Sequence, residues 1–208
     1  MSETNPCVFI VDDDPVFRDS VGKLLRSVGL ESQQFSSVSE FLNADLSKGP
    51  TCLVLDVRMP GGSGLELQRE LSAANRQLPI IFITAHGDIP MSVQAIKGGA
   101  VEFLTKPFRD QDLLDAIETG LARDRARRES DKALGALKER FETLSSRERE
   151  IMIQVTAGRL NKQIAGNMGI AESTVKVHRT NLMRKMTARS LPELSRMVDA
   201  LKLTAEKP

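Results

Sequence analysis

Three aspartates stand where parallel-sheet proteins build their sites. Asp12 and Asp13 follow the apolar run 7–11, and Asp56 ends the apolar run 52–55 just before a Gly-rich loop. The carboxyl ends of parallel strands meet at one edge of a sheet, so the pattern predicts that these three carboxylates lie together. A single Asp in such a place more often caps the next helix. The prediction therefore depends on the set and not on Asp56 alone.

Two further polar residues are predicted at the same edge. Thr84 follows the apolar run 78–83, and Lys106 follows the run 101–105. Neighbouring carboxylates repel one another and favour a hard cation such as Mg²⁺, which keeps waters and accepts phosphate oxygens as further ligands. A hydroxyl and an ammonium suit the oxygens of a phosphoryl group, and a carboxylate can act as nucleophile to give an aspartyl-phosphate. The predicted chemistry is phosphoryl transfer at a magnesium site.

The elements that must position these residues alternate between strands and helices. Runs that are apolar on both faces, as at 52–55, are typical of strands covered by helices on either side. Asp14 before Pro15 is typical of a helix start. We expect an α/β fold for the first half, a doubly wound parallel sheet of (βα)5 order. The predicted strands are 7–11, 31–35, 52–56, 78–83 and 101–105, and the predicted helices are 15–28, 38–46 (capped by Ser37 or Ser39), 65–73 and 90–97, with a last helix from Gln111.

Charge divides the chain into two halves. Residues 1–121 carry 10 Lys and Arg against 17 Asp and Glu, a net charge of −7, whereas residues 122–208 carry 19 against 11, a net charge of +8. This asymmetry predicts two domains with different partners, and the basic half suits a polyanion such as nucleic acid, a solvated basic face being the alternative. No run is apolar enough for a membrane span, and the start does not resemble a signal peptide. With Cys7 and Cys52 in apolar runs, we expect a cytoplasmic protein with reduced thiols and no membrane partner.

The segment 109–141 connects the two halves. It lacks proline and has apolar residues at helical spacing at both ends. We expect one long helical connector, with a break near Gly120 or Ser130 left open. The run 123–132 is almost wholly charged, which favours a solvated helix over contact with DNA or another subunit.

The basic half has the pattern of a small helical domain. Ser145 with Glu148 three residues later is typical of a capping box that begins a helix. Further helices are predicted over 162–168, 173–186 and 191–201, the first of them capped by Asn161. The predicted apolar face of the first helix consists of Ile151, Met152, Val155 and Leu160. Two short helices joined by a tight Gly turn make a helix-turn-helix, and the 9 Lys and Arg against 3 Glu over 145–189 predict a phosphate-seeking surface on this all-α four-helix domain.

The motifs of the acidic half resemble the receiver domain of two-component response regulators. The segments that carry the resemblance are 11–13, 55–60, 84–85 and 106–108. The resemblance implies that Asp56 is the phosphorylated residue. It also implies that Asp12, Asp13 and the backbone carbonyl of Arg58 join Asp56 in holding Mg²⁺.

The same resemblance implies roles for residues at the last two predicted strands. Thr84 and Lys106 would hold phosphoryl oxygens, and the Lys106–Pro107 peptide would be cis. Phe103 occupies the position of the switch aromatic, without the hydroxyl that Tyr-bearing relatives have there. His86 stands at a position that often tunes dephosphorylation, and an exposed loop histidine is the equally weighted alternative.

The basic half resembles the LuxR-type DNA-binding domain through the segments 144–150, 161–165 and 173–178. With the receiver attached, the chain is similar to the FixJ/NarL class of transcription regulators, and the loop 86–91 is closer to the FixJ side. The chain as a whole also resembles regulators of aromatic-hydrocarbon breakdown. The resemblance implies that Lys176, Val177 and Thr180 read base edges, although Thr180 stands where some relatives carry Lys. The other candidates at the DNA interface are Thr174, Arg179, Arg184 and Lys185, of which the last three suit phosphates.

The function implied is that of a response regulator. A sensor histidine kinase would phosphorylate Asp56, and the homodimer would then bind double-stranded DNA and activate transcription with RNA polymerase as a partner. The predicted domains are a receiver at 1–121, a helical linker at 122–143 and a DNA-binding domain at 144–208.

Two other classes of function are disfavoured. A metal-dependent phosphatase would carry a second Asp where this chain has Arg58, so we expect no enzyme beyond slow loss of its own phosphoryl group. An RNA-binding antiterminator would lack the helix-turn-helix.

Overall fold

Five parallel strands form one sheet in the first part of the chain. The computed structural model describes residues 5–46, 49–60, 62–85 and 87–203. Its strands are β1 (Cys7–Val11), β2 (Glu31–Phe35), β3 (Thr51–Asp56), β4 (Arg58–Met59), β5 (Gly62–Ser63), β6 (Ile80–Thr84) and β7 (Glu102–Thr105). The sheet order is β2-β1-β3-β6-β7 with every neighbouring pair parallel, and β4 and β5 form a separate antiparallel pair. The predicted α/β fold is confirmed.

Helices cover both faces of this sheet. The helices of this part are α1 (Pro15–Ser27), α2 (Val38–Asn43), α3 (Gly64–Ala73), α4 (Ile89–Lys97) and α5 (Asp110–Glu142). Alternate strand residues face opposite sides. Phe9, Leu53 and Phe82 belong to a core shared with α2, α3 and α4, whereas Val8 and Ile81 belong to a core shared with α1 and α5. The five strand ends therefore stay free to carry polar residues along one edge.

Capping residues fix the starts of the first helices. The Asp14 side chain accepts a hydrogen bond from the Val16 amide at 2.9 Å, as predicted, and the Ser37 hydroxyl accepts one from the Glu40 amide at 3.2 Å. Helix α2 ends at Asn43 rather than at residue 46. Leu46, which suggested the longer helix, instead packs against the core from beyond its end.

Helix α5 is continuous across the predicted connector, without a break at Gly120 or Ser130. Gly120 has a packing role instead, because a Cβ at that position would lie 2.6 Å from the Cys52 Sγ on β3. The missing side chain lets α5 approach the sheet closely. Glycine at this point therefore reflects contact and not a hinge.

The prediction of a solvated charged run is wrong at Asp124, which is fully buried. Its carboxylate accepts hydrogen bonds from the Thr51 amide at 2.9 Å and from Arg127 and Arg128 at 2.5 Å. Burial would raise the pKa of Asp124, but the bonds from Arg128, Arg127 and Thr51 outweigh it and hold the pKa below its usual value. Asp124 thus ties α5 to the start of β3.

Contacts between Cα atoms divide the chain into two units, Met1–Arg128 and Glu129–Pro208. The first unit thus extends beyond residue 121, and Asp124 with its arginine partners supplies the physical reason. Among the described residues, no helix combines the length and the apolar character required to cross a membrane.

Four helices form the second unit together with the end of α5. They are α6 (Ser146–Thr156), α7 (Asn161–Met168), α8 (Glu172–Met186) and α9 (Leu191–Ala200). The Ser145 hydroxyl accepts from the Glu148 amide and the Glu148 carboxylate accepts from the Ser145 amide, so the predicted capping box is present. The core of this unit includes Ile151, Met152, Val155, Ile164, Met168, Val175, Leu182, Met186, Leu194 and Val198.

Leu160 corrects the prediction for α6. The helix ends at Thr156, Gly158 turns the backbone with a φ of 80°, and the Leu160 side chain is 69% exposed. Leu160 precedes α7, which begins at Asn161, so Asn161 is the first helical residue and not its cap. An apolar residue four positions beyond a helix end need not face the core, since its direction is set by the turn.

Candidate functional sites

The three predicted aspartates meet at the carboxyl edge of the sheet. Asp12 and Asp13 follow β1, and Asp56 ends β3, its neighbour in the sheet. One carboxylate oxygen from each lies within 4.8 Å of the others. Asp12 is buried, Asp56 is partly buried and Asp13 is exposed. The strand register therefore brings together carboxylates that are far apart in sequence.

Asp12 is held firmly by its neighbours. Its Oδ1 accepts a hydrogen bond from the Asp14 amide at 2.9 Å, and its Oδ2 lies 2.7 Å from the Nζ of Lys106. Its backbone carbonyl accepts from Arg18 of α1 at 2.6 Å. These contacts fix both the side chain and the backbone carbonyl of Asp12 at the sheet edge.

The Lys106 ammonium reaches the same cluster from the end of β7. Its Nζ lies 3.8 Å from the Asp56 Oδ2, in addition to its closer contact with Asp12. One ammonium against three carboxylates leaves the cluster with a net charge of −2. A surplus of negative charge with only oxygen donors is the donor set that a small divalent cation such as Mg²⁺ prefers.

The carboxyl group of Asp56 lies in an unfavourable place for a charge. Burial is the main cause that raises the pKa of Asp56, and the nearby Asp12 raises it further. The Arg58 amide, which donates to the Asp56 Oδ1 at 3.1 Å, and the Lys106 ammonium act in the opposite direction. A cation placed at this cluster would relieve the remaining electrostatic cost.

The loop after Asp56 folds back as the short β4–β5 pair, which the Gly-rich sequence does not predict. Arg58 on β4 has an exposed side chain. Gly64, the first residue of α3, is required for this path, because a Cβ there would lie 2.4 Å from the Asp56 carbonyl oxygen. Gly64 is thus a site-forming residue that no chemical motif reveals.

Thr84 and Phe103 lie on the last two strands of the sheet. Thr84 ends β6 and is buried, and Phe103 on β7 packs against Phe82 with ring centroids 6.3 Å apart. The Gly87 backbone covers both Phe103 and Thr84, since a Cβ there would lie 3.0 Å from the Phe103 ring and 3.3 Å from the Thr84 methyl carbon. His86 lies outside the described residues. The Lys106–Pro107 peptide is cis, as predicted.

Helices α7 and α8 form the predicted helix-turn-helix. Gly169 ends α7 in the left-handed region with a φ of 65°, which glycine adopts without strain. Helix α8 starts after Ala171, whose side chain provides no capping hydrogen bond. Val175, Leu182 and Met186 of α8 are buried against the core of the unit. The opposite face of α8 is therefore presented to solvent.

The predicted DNA-contact residues differ in how free their side chains are. The exposed ones are Thr174, Lys176, Val177, Thr180 and Arg184. Val177 is 60% exposed and so lies on the surface of α8 with these polar side chains. Arg179 donates to the Asn161 side chain at 2.5 Å, and Lys185 pairs with Glu148 at 2.7 Å. Arg179 and Lys185 are thus engaged within the unit.

The Glu148–Lys185 pair is a structural feature that sequence reasoning missed. Glu148 is buried, and burial would raise its pKa, but hydrogen bonds from Lys185 and Ser145 outweigh this effect and lower the pKa. Lys185 also donates to the Thr143 carbonyl at 3.1 Å. The pair joins α6 to α8 and so helps to set the angle of the exposed face.

Comparison with known proteins defines the class of this protein. Residues 8–118 match the response regulator receiver domain, and residues 142–198 match the luxR family of bacterial regulatory proteins. The chain belongs to the response regulators that join a receiver to a LuxR-type DNA-binding domain, and its role is two-component regulation of transcription. The family resemblance inferred from the motifs is confirmed.

Individual relatives extend over nearly the whole chain. Nodulation protein W of Bradyrhizobium diazoefficiens is 52% identical over 204 residues, covering 98% of this chain and 90% of that protein. Response regulator protein TodT of Pseudomonas putida is 47% identical over 206 residues, covering 99% and 91%. The solved low-resolution structure of the response regulator StyR aligns with a TM-score of 0.84 at 50% identity, covering 94% of this chain and 98% of that one.

Proposed function

We propose that a sensor histidine kinase phosphorylates this chain on Asp56, and that the phosphorylated form dimerises and binds specific double-stranded DNA to activate transcription. The observation that carries the proposal is the Asp56 carboxylate at the end of β3, within 4.8 Å of the Asp12 and Asp13 oxygens and 3.8 Å from the Lys106 ammonium. Such a cluster suits a reaction in which a carboxylate accepts a phosphoryl group.

The transfer step uses an Asp56 oxygen as the nucleophile. This oxygen attacks phosphorus of the phosphohistidine, the P–N bond breaks, and its electron pair stays on the histidine ring. Asp12, Asp13, Asp56 and the Arg58 carbonyl would hold Mg²⁺, which supplies positive charge to the phosphoryl oxygens when it is bound. The Thr84 hydroxyl and the Lys106 ammonium donate hydrogen bonds to the same oxygens.

The phosphoryl group leaves slowly by hydrolysis. Water attacks phosphorus, the P–O bond to Asp56 breaks, and the carboxylate and inorganic phosphate remain. This chain would be no enzyme beyond that loss. Arg58 stands where a metal-dependent phosphatase would carry a second carboxylate, and the family consists of transcription regulators.

Thr84 and Phe103 form the proposed switch. A phosphoryl group on Asp56 draws the Thr84 hydroxyl towards it, and Phe103 moves into the space released. The two residues lie on neighbouring strands, and Gly87 packs against both, so a small displacement changes the outer face near α4. A change at that face is what two subunits would use to pair.

The exposed face of α8 is the proposed DNA reader. Lys176 and Val177 would contact base edges with Thr174 and Thr180 beside them, and Arg184 would bind phosphate. Arg179 and Lys185 would also bind phosphate, but Lys185 has to leave its pair with Glu148 to do so. A helix-turn-helix with this face favours duplex DNA over RNA.

The remaining parts of the proposal concern organisation and partners. We propose a receiver at 1–121, a helical linker at 122–143, of which the part up to Arg128 packs with the receiver, and a DNA-binding domain at 144–208, acting in the cytoplasm with RNA polymerase as a further partner. Support comes from the matched family models and from the response regulators named among the relatives.

The test of the proposed chemistry is labelling with acetyl phosphate and Mg²⁺. Wild-type protein should gain an acid-stable, hydroxylamine-sensitive phosphoryl group, whereas Asp56→Asn should gain none, because an amide is not a nucleophile for this step. Asp45→Asn is the matched control, since Asp45 is exposed and lies after α2, and it should label like the wild type. Undiminished labelling of the Asp56→Asn protein would refute the assignment.

A further inference from the structure

The Lys106 ammonium has an aromatic neighbour in addition to its carboxylates. Its Nζ lies 3.6 Å from the centroid of the Phe17 ring on α1, within the range of a strong cation–π contact. The Asp12 Oδ2 lies 2.7 Å and the Asp56 Oδ2 3.8 Å from the same nitrogen. The ammonium is therefore held between one ring face and two carboxylates.

The ring of Phe17 is itself fixed in place. It makes an edge contact with Phe108, with centroids 6.1 Å apart and planes at 82°. Both rings pack against the core between the sheet and helices α1 and α5. Arg18, the next residue, donates to the Asp12 carbonyl and so secures the first turn of α1 against the site. The ring is a rigid surface and not a loose side chain.

A ring and a carboxylate hold a lysine in different ways. A carboxylate accepts hydrogen bonds directly from the N–H groups of the ammonium. The attraction of Asp12 for Lys106 would weaken if a divalent cation bound the Asp12 carboxylate. A ring face attracts the same charge without accepting a strong hydrogen bond. It therefore leaves the N–H groups able to donate to a phosphoryl oxygen on Asp56.

From this geometry we infer that Phe17 is a positioning residue for phosphoryl transfer, which keeps the Lys106 ammonium aimed at Asp56 while Asp12 is engaged elsewhere. The inference rests on the proposed phosphorylation of Asp56. Lysine is a flexible chain with a compact charge, so a fixed ring face limits the directions in which it can point. Phe17 does not contact the phosphoryl group itself.

The first measurement needs no cation or phosphoryl analogue. In NMR spectra, the Lys106 ε-protons should show an upfield ring-current shift, with the resonance assigned by its loss in Lys106→Ala. Phe17→Leu keeps an apolar side chain but removes the ring face, so this shift should disappear. Phe17→Trp should keep it. An unchanged Lys106 shift in Phe17→Leu would overturn the inference.

The second measurement is the affinity for beryllofluoride at saturating Mg²⁺. Loss of the cation–π contact should weaken binding by about three- to thirtyfold in Phe17→Leu, and Phe17→Trp should stay within about twofold of the wild type. Phe41→Leu is the matched control, because Phe41 is buried in the core on the other face of the sheet and should alter stability without altering affinity.

The outcomes separate this inference from the proposal beneath it. Normal beryllofluoride binding by Phe17→Leu, with none by Asp56→Asn, would refute the role of Phe17 alone. Equal weakening in the Leu and Trp variants would show that ring volume matters and not the π face, which also refutes it. Undiminished binding by Asp56→Asn would instead refute phosphorylation of Asp56, and the role of Phe17 with it.

Discussion

Single side chains on the exposed face of α8 differ in their surroundings, and these differences decide which of them is able to meet DNA. Lys176 is exposed, with its ammonium 3.5 Å from Glu172 in a solvated pair of small energetic value. Arg184 is exposed near the end of the same helix. Lys185, by contrast, forms an ion pair with the buried carboxylate of Glu148. Lys176 and Arg184 are therefore the positions on this face at which a substitution tests DNA contact most directly.

The roles of Lys176 and Arg184 predict different losses. Lys176→Ala should cost about 1–3 kcal/mol of binding free energy at the specific site and much less on random DNA, because it removes a base contact. Arg184→Ala should weaken binding to all DNA alike and flatten the dependence of affinity on salt. Fluorescence anisotropy on specific and scrambled duplexes measures both. Equal losses on the two duplexes for Lys176→Ala would show that it reads no base.

The cluster at the sheet edge was predictable from sequence, and its supports were not. Residues at the ends of parallel strands must share one edge, so Asp12, Asp56 and Lys106 follow from the strand pattern. Phe17 and Gly64 support the site because they lie close to Lys106 and to the Asp56 backbone. Such contacts depend on three-dimensional packing and produce no recognisable spacing of residues in the sequence. Asp124 did leave a signal, since Arg127 and Arg128 follow it at helical spacing, but its burial depends on contact with β3.

At the scale of elements, α5 is held to the sheet by a buried charge near the end of the first unit. Asp124 has a folded-state pKa below its usual value of 3.8. Its ionised form therefore stabilises the fold above about pH 4, and this stabilisation is lost as the pH falls through the lowered pKa. Acid should loosen the attachment of α5 before the hydrophobic core is affected.

Replacement of Asp124 tests this attachment. Asp124→Asn should lower the free energy of unfolding of the first unit by about 2 kcal/mol at neutral pH, because Arg127 and Arg128 lose a buried partner. Asp112→Asn is the matched control, since Asp112 lies on the same helix but its pair with Arg109, the residue just before the helix, is exposed, and the change should cost almost nothing.

The readout is hydrogen exchange of the β3 amides, corrected for intrinsic rates, from pH 6 to pH 3. The difference between wild type and Asp124→Asn should shrink as the pH falls. A difference that stays constant over this range, or an equal loss in Asp112→Asn, would contradict a stabilising role for the ionised carboxylate.

The sequence predicts strands well where both faces of the strand are buried. It predicts the ends of helices poorly, because these are set by turns. The strands β1, β3 and β6 follow from apolar runs that a covered sheet buries, whereas β2, at the edge of the sheet, is mostly polar. Helix α2 stops before residue 46 and Leu160 faces solvent, because a turn redirects the chain after each helix. Apolar spacing alone does not show where a turn begins.

In the whole molecule, the two units have separate hydrophobic cores, and the two halves of the chain carry opposite net charge. The first unit has one core on each face of its sheet, and the second unit has its core among α6 to α9. Residues 1–121 have a net charge of −7 and residues 122–208 a net charge of +8. An acidic receiver disfavours DNA by itself, so sequence-specific binding should belong to the basic part. Pairing two weak binders raises the effective concentration of the second at its half-site.

The most direct test of the account is the DNA affinity of the full-length chain with and without beryllofluoride and Mg²⁺, measured alongside its mass by analytical ultracentrifugation. DNA selected from a random pool by residues 122–208 serves as the probe. We expect affinity to rise in step with dimer formation, with no rise for Asp56→Asn, and we expect residues 122–208 alone to bind weakly. Activation through dimerisation would be contradicted if beryllofluoride left the affinity unchanged. It would also be contradicted if residues 122–208 bound far more tightly than the unmodified full-length chain, since the receiver would then mask the DNA-reading helix.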